Sequence, residues 1–114
     1  MNLPVVFFLN KDGKAVGPWV FPKEGESREE LRGMIDNQEW AVADWVIANK
    51  KRAGCCTHTL PGAKAVYLPI QTSDEIYGVM GILLEEKRQI PSFEYGLLTA
   101  MLNEAALVFA RINL

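Results

Sequence analysis

Cysteine is nearly absent: the 114 residues hold two, and they are adjacent, Cys55 and Cys56. Adjacent cysteines exclude the disulfide framework of a secreted mini-protein, which needs separated pairs, so a reducing cytoplasm is the expected compartment. Histidine occurs once, at His58, which leaves no His pair for a metal or a catalytic relay. No stretch approaches the ~18 consecutive apolar residues of a membrane-spanning helix. Nor is there a basic segment followed by an apolar one, as a secretory leader requires. A formal net charge of −2 gives no electrostatic footprint for nucleic acid. The basic run Lys50, Lys51 and Arg52 follows a predicted helix, where complementing the helix dipole is its plainest role. A glycine-rich phosphate loop, an internal repeat and a low-complexity tract are all missing. What is present is ordinary globular usage, 49% apolar and 23% charged, in a length that suits one domain over residues 1–114.

The pattern along the chain predicts β-β-α-β-β-α. Residues 5–9 (VVFFL) are a short β-branched and aromatic run that suits a buried strand. Asn10-Lys11-Asp12-Gly13 supplies turn chemistry, and residues 15–21 form the second arm of a hairpin. Pro18 lacks an N–H, so that arm is expected at an edge or bulged. Ser27 with Glu30 three residues on matches a capping box and opens a helix at Arg28, which Gly33 and Asp36-Asn37 interrupt. A stronger helix is expected over about 38–50. Its Val42, Trp45, Val46 and Asn49 share one face with Ala43 and Ile47 beside it, and Gly54 supplies positive φ after its end. Residues 64–70 read as a strand, 72–75 as a turn, and 76–84 as a central apolar strand broken by Gly78 and Gly81. Pro91 and Ser92 open a terminal helix with a wide apolar stripe. Hairpin-linked strands with segregated helices imply an α+β fold on an antiparallel sheet, an outline that PAS, GAF and profilin-like domains share.

One segment narrows that choice. Ala53-Gly54-Cys55-Cys56-Thr57-His58-Thr59-Leu60-Pro61-Gly62, followed by Tyr67-Leu68-Pro69-Ile70, resembles the Ala-Gly-x-Gly-Thr-Asp-Thr-Leu-Pro-Gly run and the later Leu-Pro-Leu of GAF domains in KdpD-type sensor histidine kinases. Trp40-Ala41-Val42-Ala43-Asp44-Trp45-Val46 is similar to that family's Ala-Val-Ala-x-Trp helix, and Tyr77-Gly78-Val79-Met80-Gly81-Ile82 to its Gly-Val-x-x-Leu strand. The resemblance covers most of residues 40–112. It implies a GAF/PAS-like α+β fold, with a central antiparallel sheet of about five strands and helices on one face. It also implies a cytoplasmic domain of a membrane-anchored, two-component kinase that senses potassium limitation or osmotic stress. Neither a phospho-acceptor helix nor ATP-binding boxes are present, and the usual N-terminal helix is missing ahead of residue 5. The expectation is therefore a regulatory fragment, not an enzyme by itself, that relays a signal to the kinase core of its parent protein.

Two positions depart from the family pattern: Cys56 replaces Gly and His58 replaces Asp. If the first position needs positive φ, Cys56 is strained or the loop is reshaped. The second changes the charge and donor pattern of the loop. Cys55, Cys56 and His58 put three metal-ligating side chains within four residues, but zinc sites use four ligands with spaced cysteines, and no metal or other cofactor is expected. Exposed, acidic thiols here would permit a redox switch. His58 has no partner base, and a loop histidine bonded to backbone or water is the plainer reading. Trp19, Trp45 and Tyr67, with Trp40, Tyr77 and Phe21, would line a small-molecule cavity or simply fill the core. In the first case Cys55, Cys56, Thr57, His58 and Thr59 form its lid, with the two threonines bonding the ligand. Glu29, Glu30, Asp36, Glu39 and Asp44 form no matched acid–base pair. The side of the last helix bearing Leu107, Arg111 and Leu114 is a candidate homodimer contact. No membrane contact by this domain is expected. Two alternatives stay open beside the sensory reading: a stand-alone GAF protein that reduces free methionine sulfoxide with Cys55 and Cys56, and a module that only dimerises.

Overall fold

A computed structural model describes residues 3–55, 57–73, 75–83 and 100. The expected terminal helix, its dimer contact and Cys56 lie outside these residues. Among the described residues the order is β1 (Val5–Lys11), β2 (Lys14–Phe21), α1 (Arg28–Gly33), α2 (Asn37–Asn49), β3 (Ala53–Gly54), β4 (Ala65–Gln71) and β5 (Ile76–Leu83). The strands form one open antiparallel sheet in the order β2-β1-β5-β4-β3. The architecture is a small α+β domain, consistent with the GAF/PAS-like outline. No helix among the described residues is long and apolar enough to cross a membrane.

The β1–β2 hairpin closes as its turn chemistry dictates. Asp12 (φ 53°) and Gly13 (φ 87°) both take positive φ between the paired Lys11 and Lys14, the geometry that matches strand twist in a two-residue loop. Pro18 does put β2 at an edge, and the register with β1 shifts between Phe7 and Leu9. Residue alternation then splits the sheet into two apolar faces. Val6, Phe8, Ala15, Val20, Ala65, Tyr67 and Val79 meet Leu31 of α1 and Val42, Ala43, Val46 and Ile47 of α2. Val5, Phe7, Val66, Leu68, Ile70, Met80 and Ile82 point the other way, together with Cys55.

Four expectations need correction. The fifth strand, β3, is two residues long, too short to show a period. The strand β5 is continuous through Gly78 and Gly81. These glycines admit neighbours: a Cβ at Gly78 would lie 2.4 Å from the Phe8 carbonyl oxygen, and one at Gly81 2.5 Å from the Tyr67 ring. Helix α2 ends on Lys50 in the left-handed region (φ 58°), while the positive φ of Gly54 belongs to β3. Finally, the buried stripe of α2 is Glu39, Val42, Ala43, Val46 and Ile47. Asn49 is exposed and donates to the Trp45 carbonyl (2.9 Å), and Trp45 itself is half-buried against the core.

Candidate functional site at the junction of helix α2 and the loop between β3 and β4

Among the described residues, main-chain bonds and the Thr57 hydroxyl hold the loop together. The Gly54 N–H donates to the Thr59 carbonyl (2.8 Å), and the Thr57 N–H returns to the Gly54 carbonyl (3.1 Å). The Thr57 hydroxyl lies 2.8 Å from both carbonyls and shares its proton between them, and it accepts from the Thr59 N–H at 3.1 Å. The Cys55 N–H donates to the Ala65 carbonyl (2.9 Å), which fixes the loop to the start of β4. At Gly54 (φ 106°) a Cβ would sit 2.3 Å from that same Ala65 oxygen, so a side chain has no room there.

Where the chain enters β4, a buried carboxylate receives it. Glu39, fully enclosed, accepts from the Lys64 N–H with both oxygens (3.1 Å each). Its Oε1 also accepts from the Ala65 N–H (3.2 Å) and the Tyr67 hydroxyl (2.9 Å). Glu39 occupies the first turn of α2, where the helix dipole favours negative charge. Burial pushes the Tyr67 hydroxyl well above the usual tyrosine range, and the adjacent Glu39 charge adds to the shift. One turn earlier Asp36 caps α2, accepting from the Gln38 (3.1 Å) and Glu39 (3.2 Å) N–H groups. The Glu39 N–H bond, then Lys64 Nζ at 3.3 Å, hold the Asp36 carboxyl below its ordinary value. Lys64 Nζ also donates to the Met34 carbonyl (3.1 Å).

The residues singled out in the sequence fall in three places. Thr57, His58 and Thr59 lie together in the loop, His58 exposed and the threonines half-buried. Tyr67 and Trp45 belong to the helix-side layer, and Cys55 to the opposite one. Trp19 is 48% exposed on β2, at the other end of the sheet from β3. Four strand spacings separate those two edges, about 19 Å. Cys55 is 1% exposed, which disfavours a redox switch through that thiol. Among the described residues no cluster of three His, Cys, Asp or Glu side chains could hold a metal ion.

No protein-family model matches the chain. Over 83 residues, 72% of its length, the chain is 32% identical to the Sensor protein KdpD of Clostridium acetobutylicum. The chain is related to KdpD-like sensor kinases. It spans only 9% of that KdpD, so most of the relative has no counterpart in it.

Sequence reasoning does not single out Glu39, which reads as one carboxylate among several with no acid–base partner. Its signal was positional. It stands three and four residues before Val42 and Ala43, on the apolar stripe itself.

Proposed function

We propose that this chain is a GAF-like sensory domain of a KdpD-type histidine kinase, with no catalytic centre of its own, relaying a signal to the kinase core of its parent. The 32% identity to a KdpD sensor protein over 72% of the chain carries this reading. The five-stranded antiparallel sheet with both described helices packed on one face agrees with it. In this reading the loop 55–59 is the input surface, with His58 exposed, and Trp45 and Tyr67 belong to the helix-side layer. Any input, a small molecule or a partner, acts by binding two packings of the domain unequally. Potassium limitation or osmotic stress is the stimulus that the KdpD relation brings. Pairing of two parent chains through the side bearing Leu107, Arg111 and Leu114 belongs to the same proposal, as does a cytoplasmic place beside a membrane anchor.

The test is autophosphorylation of the full-length parent in membrane vesicles at low and high potassium, with and without residues 1–114. A kinase whose response to potassium is unchanged by the deletion would sink the proposal, as would a native gene with no kinase core. Loss of the response with basal phosphorylation retained is the expected result.

A further inference from the structure

Both faces of the sheet are buried at β4 and β5, but α1 and α2 cover only one of them. Among the described residues, neither helix contributes to the layer of Val66, Leu68 and Ile70 of β4, Met80 and Ile82 of β5, and Cys55. Both pack into the opposite layer. A side chain on a bare sheet face keeps its tip in water. Toward β2 this same layer shows that state: Val5 and Phe7 are half-buried, and Phe21, edge-on to Phe7, is 53% exposed. Over β4 and β5 the state is different. Leu68 is 3% exposed, and Ile70 and Ile82 are each 1% exposed. Part of this chain therefore lies on them, and the burial is complete within a single copy. Of the described residues between the strands and helices, only Leu3 and Cys55 belong to the layer. The long stretch that remains to cover it follows Leu83.

We infer that residues 93–112 are the occupant, as a helix laid along β4 and β5 with its apolar stripe on Val66, Leu68, Ile70, Met80 and Ile82. The spacing fits. Leu97, Leu98, Met101, Ala105, Val108 and Ile112 fall within roughly 100° of a helix circumference. The length fits as well. A helix over 93–112 rises about 30 Å, against about 24–27 Å for the seven and eight residues of β4 and β5. The one described position in the segment agrees independently. Ala100 is helical and exposed. It stands about 110° from the middle of the stripe, where a helix with its stripe on the sheet leaves a residue in water. Leu107, Arg111 and Leu114 also stand outside the stripe. Strand β4 is then the floor of two layers: Tyr67 bonds Glu39 on one side, and Val66 and Leu68 carry the terminal segment on the other. The inference rests on burial and does not depend on the sensory reading.

Nuclear Overhauser spectroscopy on the whole chain, with methyl groups labelled, tests it. The Leu68, Ile70 and Ile82 methyls should show cross-peaks to Leu97, Leu98 or Met101, as side chains within about 4.5 Å of one another do. In a mixture of labelled and unlabelled chain these cross-peaks should arise within one copy. Their absence overturns the proposal, and so do cross-peaks that arise only between copies, which would make a second copy the cover. A pair of variants adds a readout that needs no assignment. Met101→Glu puts a charge on the stripe and should lower the melting temperature by about 10 °C or more. Ala100→Glu, one residue away but outside the stripe, should lower it by less than about 3 °C. Equal shifts at the two positions overturn the proposal.

Discussion

Removing the carboxylate of Glu39 should loosen the whole α2–β4 junction. In Glu39→Ala three donors lose their acceptor: the part-buried Lys64 N–H and the buried Ala65 N–H and Tyr67 hydroxyl. An orphaned buried donor costs about 1–3 kcal/mol, and the vacated volume adds a cavity term. Water entering at the Lys64 end offsets part of this, so the expected loss is about 3–5 kcal/mol. Glu39→Gln should cost less. A glutamine oxygen at the Oε1 position still accepts from all three donors, and only the Oε2 contact with the Lys64 N–H turns into a clash of donors. Its loss should be about 1–2 kcal/mol. Tyr67→Phe removes one donor and leaves the carboxylate its two backbone partners, for about 1 kcal/mol. Urea unfolding followed by tryptophan fluorescence reports all three, since Trp40 packs on Phe8 in the same core with centroids 4.9 Å apart. The order Ala, then Gln, then Phe at Tyr67 is the content of the prediction. A Glu39→Ala loss below about 1 kcal/mol, within the scatter of surface substitutions, would refute it.

The raised Tyr67 hydroxyl sets an alkaline limit. Above about pH 10 the unfolded chain gives up this proton and the folded one keeps it. Stability is therefore complete below that pH and falls above it, by up to about 1.4 kcal/mol per pH unit. Unfolding midpoints between about pH 8 and 11, where free tyrosine titrates, should show this slope in wild type and not in Tyr67→Phe. Gly81→Ala would drive a methyl to 2.5 Å from the Tyr67 ring and 2.9 Å from Val6 Cγ2. Overpacking of this kind costs about 1–3 kcal/mol, and an unchanged melting temperature would contradict the packing described. Thr57→Val keeps the shape and deletes the hydroxyl that three loop contacts use. Amide exchange at Thr59 should accelerate while Val6 and Phe8 exchange as before; uniform acceleration would mean that the loop is part of the global fold.

The parts of the fold that were legible beforehand are those written in local chemistry. Asp12-Gly13 specifies its turn, Pro18 specifies an edge, and Ser27 caps α1 by accepting from the Glu30 N–H at 3.0 Å. The misreadings came where a distant contact decides. Gly54 looked like a helix cap because positive φ after a helix is common. Its glycine is instead required by the Ala65 carbonyl, and Lys50 takes the left-handed cap. Asn49 fits the helical spacing, but it is exposed in the last turn of α2, its amide donating to the Trp45 carbonyl. Of the candidate site, the loop threonines were legible as a unit, whereas Trp19 was grouped with Tyr67 by residue type alone. No local rule tells how many strands lie between two aromatics. Glu39 was the converse: its place on the stripe was visible, but that three donors would wait for it depended on the path of β4.

The closure of the loop through Thr57 and its own backbone has a consequence for how this surface can change. Among the described residues, the hydrogen bonds that tie Gly54, Thr57 and Thr59 together do not use the side chain at position 58. That position can exchange an acid for a base, as His58 does relative to the aspartate of the family pattern, and leave the frame around it standing. The frame and its exposed side chain are thus carried by different atoms. Under the proposed sensory role, variation in what the loop contacts can accumulate at this exposed residue without a new fold having to be found each time.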